Sequence, residues 1–168
     1  MTPELAREAA RFLLSARGDH RKIEAIPASC RPQDVEEGYA IQDALVSEWG
    51  LEVGGWKVGA TNPEWQAKVG VKEPMAGRLF KPFMYASPAE LDGGAFHIRI
   101  VESEYGYKLG RDLPPRATPY TRKEVEDAVE AVHCCQELAD SRFKSGLKVE
   151  PPSLIADNAI GTAFVIGP

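Results

Sequence analysis

The sequence has little of what marks several specialised classes of protein. Its 168 residues include only three cysteines, which is too few and too irregular for a disulfide framework or a zinc site with paired cysteine spacing. We expect Cys30, Cys134 and Cys135 to be reduced, buried thiols. No apolar run reaches the ~18 residues of a membrane-spanning helix, and the N-terminal segment is amphipathic and contains acidic residues, unlike a signal peptide. We therefore expect a cytoplasmic protein.

Basic residues are also in the minority. The chain has 20 lysines and arginines against 25 aspartates and glutamates, and its formal net charge is −5. Because the basic residues are scattered along the chain, the sequence predicts no binding patch for nucleic acid or anionic lipid. Nucleotide-binding loops are absent, and the three histidines lack metal-ligand spacing. The expected partner is a small molecule or another protein.

The patterns that are present suit a single α+β domain spanning residues 1–168. Residues 1–52 have helical periodicity in two stretches, which predict helices over Pro3–Gly18 and over about 32–49. Residues 53–168 have more strand and turn signals, and they form the β-rich part of the predicted domain. We therefore expect N-terminal helices packed on a β-sheet.

Local patterns within the β-rich part predict further elements. A short strand is expected at about 56–60, followed by a short helix over 63–70. Residues 121–132 begin with capping-box spacing and predict a helix, followed by an extended segment. The apolar stripe of that predicted helix is Val125, Ala128, Val129 and Val132. Near the end, a turn at Asp157 and Asn158 is expected to lead into an apolar strand.

Two glutamates lie where an apolar strand face is predicted. Phe96, Ile98 and Ile100 follow the period-two pattern of a strand with one buried face, and Glu102 and Glu104 continue that face. A buried carboxylate is costly unless it is protonated, paired or bound to a metal. This stretch therefore requires an explanation.

A divalent metal ion is one explanation for these glutamates. Side chains two residues apart on a strand point to the same side, and carboxylate oxygens suit Mg²⁺ or Mn²⁺. Glu137, in an otherwise apolar run, is the natural third ligand. In the alternative, Glu102 and Glu104 lie past the buried part of the strand on a solvated edge, and Glu137 is a surface residue at a helix terminus. The pattern alone leaves both readings open.

Five segments occur in the order and approximate spacing of a known family: GGWKVGAT, VKEPMAGRLF, VESEYGYKLGRDLP, QELADSRF and IADNA. On these segments the chain resembles the 2-keto-4-pentenoate hydratases, within the fumarylacetoacetate hydrolase superfamily. The resemblance implies N-terminal helices on a mixed, rolled β-sheet. It also implies that Glu102, Glu104 and Glu137 bind Mg²⁺ or Mn²⁺.

The same resemblance assigns a role to Lys57, which matches the family's active-site lysine. Its ammonium would contact the substrate carboxylate or take part in proton transfer. Without the resemblance, the pattern favours a lysine at a strand edge that extends its charge into solvent. Arg78 could bring a second positive charge to the same pocket, or it could be an ordinary surface arginine.

The resemblance also implies a reaction. Family substrates are small 2-hydroxydienoates or their 2-oxo tautomers. The implied enzyme is a hydro-lyase of aromatic catabolism that adds water to a 2-hydroxypenta-2,4-dienoate-type acid and forms a 4-hydroxy-2-oxo acid. Related 2-oxo-dienedioate decarboxylases and acylpyruvate hydrolases stay open as alternatives. A non-catalytic subunit that partners a full-length enzyme is the alternative from a different class.

Two departures from the family pattern bear on activity. Several hydratases have an aspartate where this chain has Met75, and a thioether cannot act as a base, although Glu73 could substitute. Family members continue well beyond the IADNA segment, whereas this sequence ends at Pro168, so the C-terminal part of the fold is expected to be missing. Unpaired sheet edges would then expose backbone groups, which predicts a homo-oligomer or a partner subunit.

Overall fold

The computed structural model describes all 168 residues, Met1–Pro168, and begins with two long helices. Helix α1 spans Pro3–Gly18 and helix α2 spans Val35–Trp49. Thr2 and Asp34 cap them, because each side chain accepts a hydrogen bond from a backbone N–H of the first turn. None of the helices in the structure is both long and apolar enough to cross a membrane.

The main hydrophobic core lies between α1 and α2. The connection between these helices and three later positions, Phe80, Phe143 and Ala156, complete it. Small alanines on α1 allow the two helices to approach closely, and larger aliphatic and aromatic side chains fill the remaining space. The cluster has 13 buried members: Ala6, Ala9, Ala10, Leu13, Ala16, Ile23, Ile26, Cys30, Ile41, Leu45, Phe80, Phe143 and Ala156.

A two-stranded antiparallel hairpin follows the helices. Strand β1 is Val53–Gly59 and strand β2 is Met75–Phe80. Helix α3, Pro63–Val69, lies between them in the sequence, and Gly70 ends this helix in the left-handed conformation at φ 78°. The predicted short strand and the predicted short helix are both present.

A four-stranded mixed sheet forms the second half of the molecule. Strand β3 is Met84–Ala86, β4 is Ile100–Leu109, β5 is Val129–Ala139 and β6 is Gly161–Ile166. Their spatial order is β3-β6-β5-β4, with β3 parallel to β6 and the other pairs antiparallel. Helices and a mixed sheet together confirm the predicted α+β class.

The two faces of this sheet have different surroundings. We call one the carboxylate face, because Glu137 and Phe164 pair there and the face packs against β2 through Leu79. We call the other the open face; five of its large apolar side chains, all on β4 and β5, remain more than a third exposed. These exposed residues are Val101, Tyr105, Tyr107, Leu109 and Val132.

Three expectations about local structure are wrong. Helix α4 spans only Arg122–Glu126, and the chain from Val129 onward is strand β5 instead of the continued helix. The capping box forms as predicted, but the long ladder between β4 and β5 outweighs the helical spacing of the valines. Strand β4 begins at Ile100, not Phe96, and Cys134 is exposed although Cys30 and Cys135 are buried.

The segment just before β4 is not a strand, because its backbone N–H groups donate hydrogen bonds to a carboxylate. Asp140 Oδ1 accepts hydrogen bonds from the N–H groups of His97 (2.9 Å) and Ile98 (2.7 Å). Arg99 then adopts a left-handed conformation at φ 51°, so the ladder starts one residue later. Apolar alternation alone does not reveal this competing hydrogen bonding.

The C-terminal segment begins with helix α5, Pro151–Ala156, followed by a tight turn over 157–160 and then by β6. Asn158, Ala159 and Ile160 have φ values of 58°, 47° and 61°. These values lie in the left-handed region, which is strained for residues other than glycine. Three such residues in succession persist only where surrounding contacts compensate for that strain. The predicted turn and apolar strand are both confirmed.

Candidate metal centre

Three glutamate side chains converge on the carboxylate face. Glu102 on β4 lies directly opposite Glu137 on β5, and Glu104 follows two residues along β4. One carboxylate oxygen from each residue lies within 4.8 Å of the other two. Strand alternation directs the two β4 side chains to one side, and the register of the β4–β5 ladder adds the third.

The three carboxylates differ in their contact with solvent. Glu137 is 2% exposed, Glu104 is partly buried, and Glu102 is exposed. The alternative in which Glu137 is a surface residue at a helix terminus is therefore wrong, because this residue lies inside a strand. The cluster has a closed end at Glu137 and an end at Glu102 that a small molecule can approach.

Lys57 supplies the positive charge next to the buried carboxylate. Its Nζ lies 3.2 Å from Glu137 Oε1, and the lysine is only 8% exposed. This oxygen forms a salt bridge with Lys57, but it has no partner at good hydrogen-bond geometry. A buried carboxylate oxygen without a donor is unusual and retains the capacity to bind a cation.

The electrostatics of the cluster favour an additional cation. Burial raises the pKa of Glu137, and the Lys57 charge opposes this shift. Burial likewise raises the pKa of Glu104, with a further contribution from the neighbouring Glu102 charge. Both shifts reflect negative charges that are crowded and poorly solvated. The all-oxygen donor set, which includes an Oε1 without a well-formed hydrogen bond, fits a hard divalent ion such as Mg²⁺ or Mn²⁺.

A close contact between the β1–β2 hairpin and the 157–160 turn positions Lys57. Lys57 lies opposite Gly77 in the hairpin register. A Cβ atom at Gly77 would lie 2.5 Å from the backbone oxygen of Asn158 and 3.2 Å from Lys57 Cε. Only glycine therefore leaves room for the lysine stem to pass between the hairpin and the turn.

Asn158 joins the same turn to the hairpin by mimicking a strand partner. Its side-chain oxygen accepts a hydrogen bond from the Arg78 N–H at 2.7 Å, and its side-chain nitrogen donates to the Arg78 carbonyl at 2.9 Å. Arg142 holds the start of the turn through hydrogen bonds from Nε to both oxygens of Asp157, each 2.8 Å long. These buried polar residues support the site without joining the carboxylate cluster.

Sequence reasoning missed the supporting roles of Arg142 and Asn158. The guanidinium of Arg78 does not reach the carboxylates, because it binds Gln42 and Asp43 and lies 4.3 Å from the Trp56 ring centroid. Trp56 and Lys57 point to opposite sides of β1.

The structure also locates Met75, which stands where several hydratases have an aspartate, and Glu73, the residue that could substitute for that aspartate. Met75 is 8% exposed and packs against Ile155 and Ala159 in a small apolar cluster. Glu73 is exposed and lies outside the group of three converging carboxylates. Neither residue contributes a titratable group to that cluster.

Comparison of the sequence with known proteins identifies hydratases and a decarboxylase as relatives. No protein-family model matches the chain. It is 31% identical over 170 residues to the 2-keto-4-pentenoate hydratase of Paraburkholderia xenovorans (strain LB400), covering 99% of this chain and 62% of the relative. It is 35% identical over 136 residues to a 4-oxalocrotonate decarboxylase of a Pseudomonas species, covering 79% of this chain and 52% of the relative. The chain thus spans less than two thirds of the length of these relatives.

Comparison of the structure with solved proteins identifies the fold. The 4-oxalocrotonate decarboxylase from Pseudomonas putida G7, solved in complex with magnesium and adipate, matches with a TM-score of 0.88 at 24% sequence identity. The match covers 99% of this chain and 64% of that one. A second structure of that enzyme, with calcium and acetate, matches with a TM-score of 0.86 at 23% identity.

Proposed function

Because this chain is a homologue of the 2-keto-4-pentenoate hydratases along its whole length, we propose that it acts on the small acids that such enzymes use. The proposed reaction is that of a hydro-lyase of aromatic catabolism: water adds to a 2-hydroxypenta-2,4-dienoate-type acid, and a 4-hydroxy-2-oxo acid forms. The observation that carries the proposal is the convergence of three carboxylates beside Lys57, with one buried oxygen lacking a hydrogen-bond donor.

Glu102, Glu104 and Glu137 would hold one divalent ion. Mg²⁺ is the first candidate, since the decarboxylase of similar fold was solved with magnesium, and Mn²⁺ is the second because it accepts the same oxygen donors. When bound, the ion would supply Lewis-acid polarisation of the substrate oxygens. The exposure of Glu102 leaves that side of the cluster open to substrate.

Lys57 would hold the substrate from the closed end of the cluster. Its Nζ is 3.2 Å from Glu137, so a substrate carboxylate entering the cluster would meet a positive charge that is already desolvated. A buried ammonium binds a carboxylate more strongly than an exposed one does, and it can hold a proton at Nζ near the reacting atoms. We therefore propose Lys57 as the catalytic lysine.

A second candidate reaction is decarboxylation of a 2-oxo-dienedioate. It is favoured by the 35% identity to a 4-oxalocrotonate decarboxylase over 136 residues. The substrates of both reactions are small unsaturated 2-oxo acids or their enol tautomers, so the same carboxylates and Lys57 would serve either one. Hydrolysis of acylpyruvates is a third possibility that no particular contact favours.

We further propose that residues 1–168 form one domain, with a helical part over 1–52 and a metal-binding part over 53–168. The free edge of β4 and the exposed apolar side chains of the open face favour association with a second copy or a longer partner subunit. If the partner alone is active, this chain serves as a non-catalytic subunit. A cytoplasmic location accompanies the proposed metabolic role.

Calorimetric titration with Mg²⁺ and with Mn²⁺ tests the metal site. We expect binding to the purified chain and its loss in the Glu102→Gln, Glu104→Gln double variant, because two of three charged ligands are removed. The control is Glu130→Gln, an exposed glutamate on β5 paired with Lys108 outside the cluster. Unchanged binding in the double variant would refute the assignment of these ligands.

A substrate assay then separates the reactions. Metal-dependent loss of the ultraviolet absorbance of 2-hydroxypenta-2,4-dienoate would support the hydratase, and metal-dependent CO₂ release from 4-oxalocrotonate would support the decarboxylase. We expect Lys57→Met to abolish either activity while metal binding persists. Metal binding without either reaction, with or without a longer homologue, would exclude both reactions for this chain.

A further inference from the structure

A cavity lies on the other side of the four-stranded sheet from the carboxylates. Its volume is about 590 Å³, and the sheet contributes Tyr85 and Ala163 to its wall. Ala163 pairs with Leu138, the neighbour of Glu137, and successive residues on a strand point to opposite faces. The sheet therefore separates this cavity from the candidate metal centre.

One positively charged side chain in this cavity lacks a counter-ion. Arg17, in the last turn of α1, lines the cavity. Its only hydrogen bond is a long one, from Nη2 to the Gly161 carbonyl at 3.5 Å, and it makes no salt bridge. Its Cζ lies 5.0 Å from the centroid of the Trp49 ring, which also lines the cavity. The remaining N–H groups of the guanidinium are unused.

None of the nearby acids forms a salt bridge with Arg17. Asp157 forms a salt bridge with Arg142 at 2.7 Å, and Asp140 accepts the backbone hydrogen bonds of the segment before β4. Burial lowers the pKa of the Arg17 guanidinium to about 9, with a further contribution from the Arg142 charge, and the more distant charges of Asp157 and Asp140 offset only part of this shift. An anion placed against Arg17 would stabilise the charged form.

The cavity walls define what else the ligand must be. Most of the surface is aromatic or aliphatic, and Trp49, Phe83 and Phe96 provide large flat contacts. The other charged residues of the wall are Glu90 and Asp92, both acidic, so a second negative charge on a ligand would be repelled. The volume lies within the range of about 300–1,000 Å³ that is typical of small-molecule sites.

We propose that this cavity binds a small organic monocarboxylate with an apolar body, its carboxylate paired with Arg17 and its body against the aromatic wall. Guanidinium and carboxylate form paired, parallel hydrogen bonds, and the unused N–H groups of Arg17 are available for them. This site does not depend on the proposed enzymatic function, because no residue is shared between the cavity and the carboxylate cluster.

Calorimetric titration of the full chain with benzoate tests the proposal. EDTA is included so that benzoate cannot bind through a metal ion at the carboxylates. We expect saturable binding at millimolar concentrations or below, and at least about tenfold weaker binding of benzamide, which has the same ring without the charge. Terephthalate, which adds a second carboxylate to the same ring, should also bind more weakly.

Variants locate the binding to the cavity. Arg17→Met should weaken benzoate binding at least about tenfold, whereas Arg7→Met, an exposed position on the same helix, should leave it unchanged. Ala95→Trp, at an exposed position of the cavity wall, should block binding without removing a buried side chain. It therefore tests the cavity even if Arg17→Met fails to fold.

Three results would overturn the proposal. The first is the absence of benzoate binding to the folded chain at millimolar concentrations. The second is benzamide binding as tight as that of benzoate. The third is unchanged benzoate binding in Ala95→Trp or in a folded Arg17→Met variant. None of these outcomes bears on metal binding or turnover, so failure here is separate from failure of the proposed enzyme.

Discussion

Glu137 and Glu104 illustrate a conflict between local stability and ligand binding. Both carboxylates are partly or fully removed from water, and burial raises the pKa of each. A raised pKa for a carboxyl group means that the ionised form is destabilised in the folded chain relative to the unfolded one. The metal-free protein is therefore less stable at neutral pH than it would be with neutral side chains at these positions.

Replacing Glu104 should show this conflict directly. The unfolded pKa is near 4.5 and the folded pKa is higher, so ionised Glu104 destabilises the fold increasingly as pH rises through that interval. We expect Glu104→Gln to raise the Tm of the metal-free chain at pH 7 and to have a smaller effect below pH 4.5, where the native residue is also neutral. Thermal unfolding monitored by circular dichroism in EDTA provides the measurement.

The same variant should bind Mg²⁺ more weakly, because a neutral amide replaces a charged ligand. Glu130→Gln, which changes an exposed ion pair, is the matched control and should leave the Tm nearly unchanged. A lower Tm for metal-free Glu104→Gln at pH 7 would show that the carboxylate is stabilising, contrary to this account.

Among the secondary-structure elements, the hairpin and the 157–160 turn depend on each other most closely. The turn contains left-handed residues that are strained when isolated, and its Asn158 side chain pairs with the backbone of β2. The hairpin has a glycine, Gly77, at the point where the 157–160 turn packs against it. Lys57 passes through this contact before it reaches Glu137, so the contact sets the geometry of the site.

Gly77→Ala should disrupt this contact. The added methyl group would lie 2.5 Å from the Asn158 carbonyl oxygen, so the turn or the hairpin must shift. We expect a loss of about 1–3 kcal/mol in the free energy of unfolding, as for other overpacked sites, and weaker metal binding because the ligand Glu137 is displaced together with Lys57. Chemical denaturation and calorimetry measure the two effects.

Gly18→Ala is the matched control for this substitution. Gly18 has no heavy atom within 4 Å of the added Cβ, so the alanine should be neutral or slightly stabilising in the last turn of α1. A Gly77→Ala chain as stable as the wild type would mean that the turn moves away at no cost. In that case the turn would not set the position of Lys57.

For the molecule as a whole, the two faces of the four-stranded sheet differ in how much apolar surface they expose, and this difference bears on assembly. The carboxylate face is covered by the hairpin, whereas Tyr105 and Tyr107 on the open face are 72% and 63% exposed. Strand β4 also has a free edge of ten residues. Exposed edges and apolar patches of this kind usually mark surfaces that contact another chain.

Sedimentation measurements should therefore detect self-association of this chain at micromolar concentrations. We expect the Tyr105→Glu, Val132→Glu double variant to dissociate, because it places charges on the open face without touching the carboxylate face. Trp65→Glu, at an exposed position on α3, should leave the association unchanged. A wild-type chain that stays monomeric at all concentrations would contradict the proposed homo-oligomer.

Short-range signals in the sequence were sufficient for much of this structure. Capping residues, helix-ending glycines and strand alternation predicted α1, α3 and the final strand, because each of these elements is specified by neighbours within a few residues. The alternation also indicated that Glu102 and Glu104 share a face, since that follows from strand geometry alone. The segments shared with the hydratases identified the relatives.

Long-range pairing determined the remainder. The valines of 125–132 have helical spacing, yet from Val129 onward the chain is a strand, because pairing with β4 supplies hydrogen bonds that a local pattern does not contain. The register of that ladder places Glu137 opposite Glu102, and the approach of the turn to Gly77 positions Lys57. The cavity at Arg17 likewise depends on tertiary structure, because its walls come from segments far apart in the sequence and only their packing leaves the guanidinium without a counter-ion.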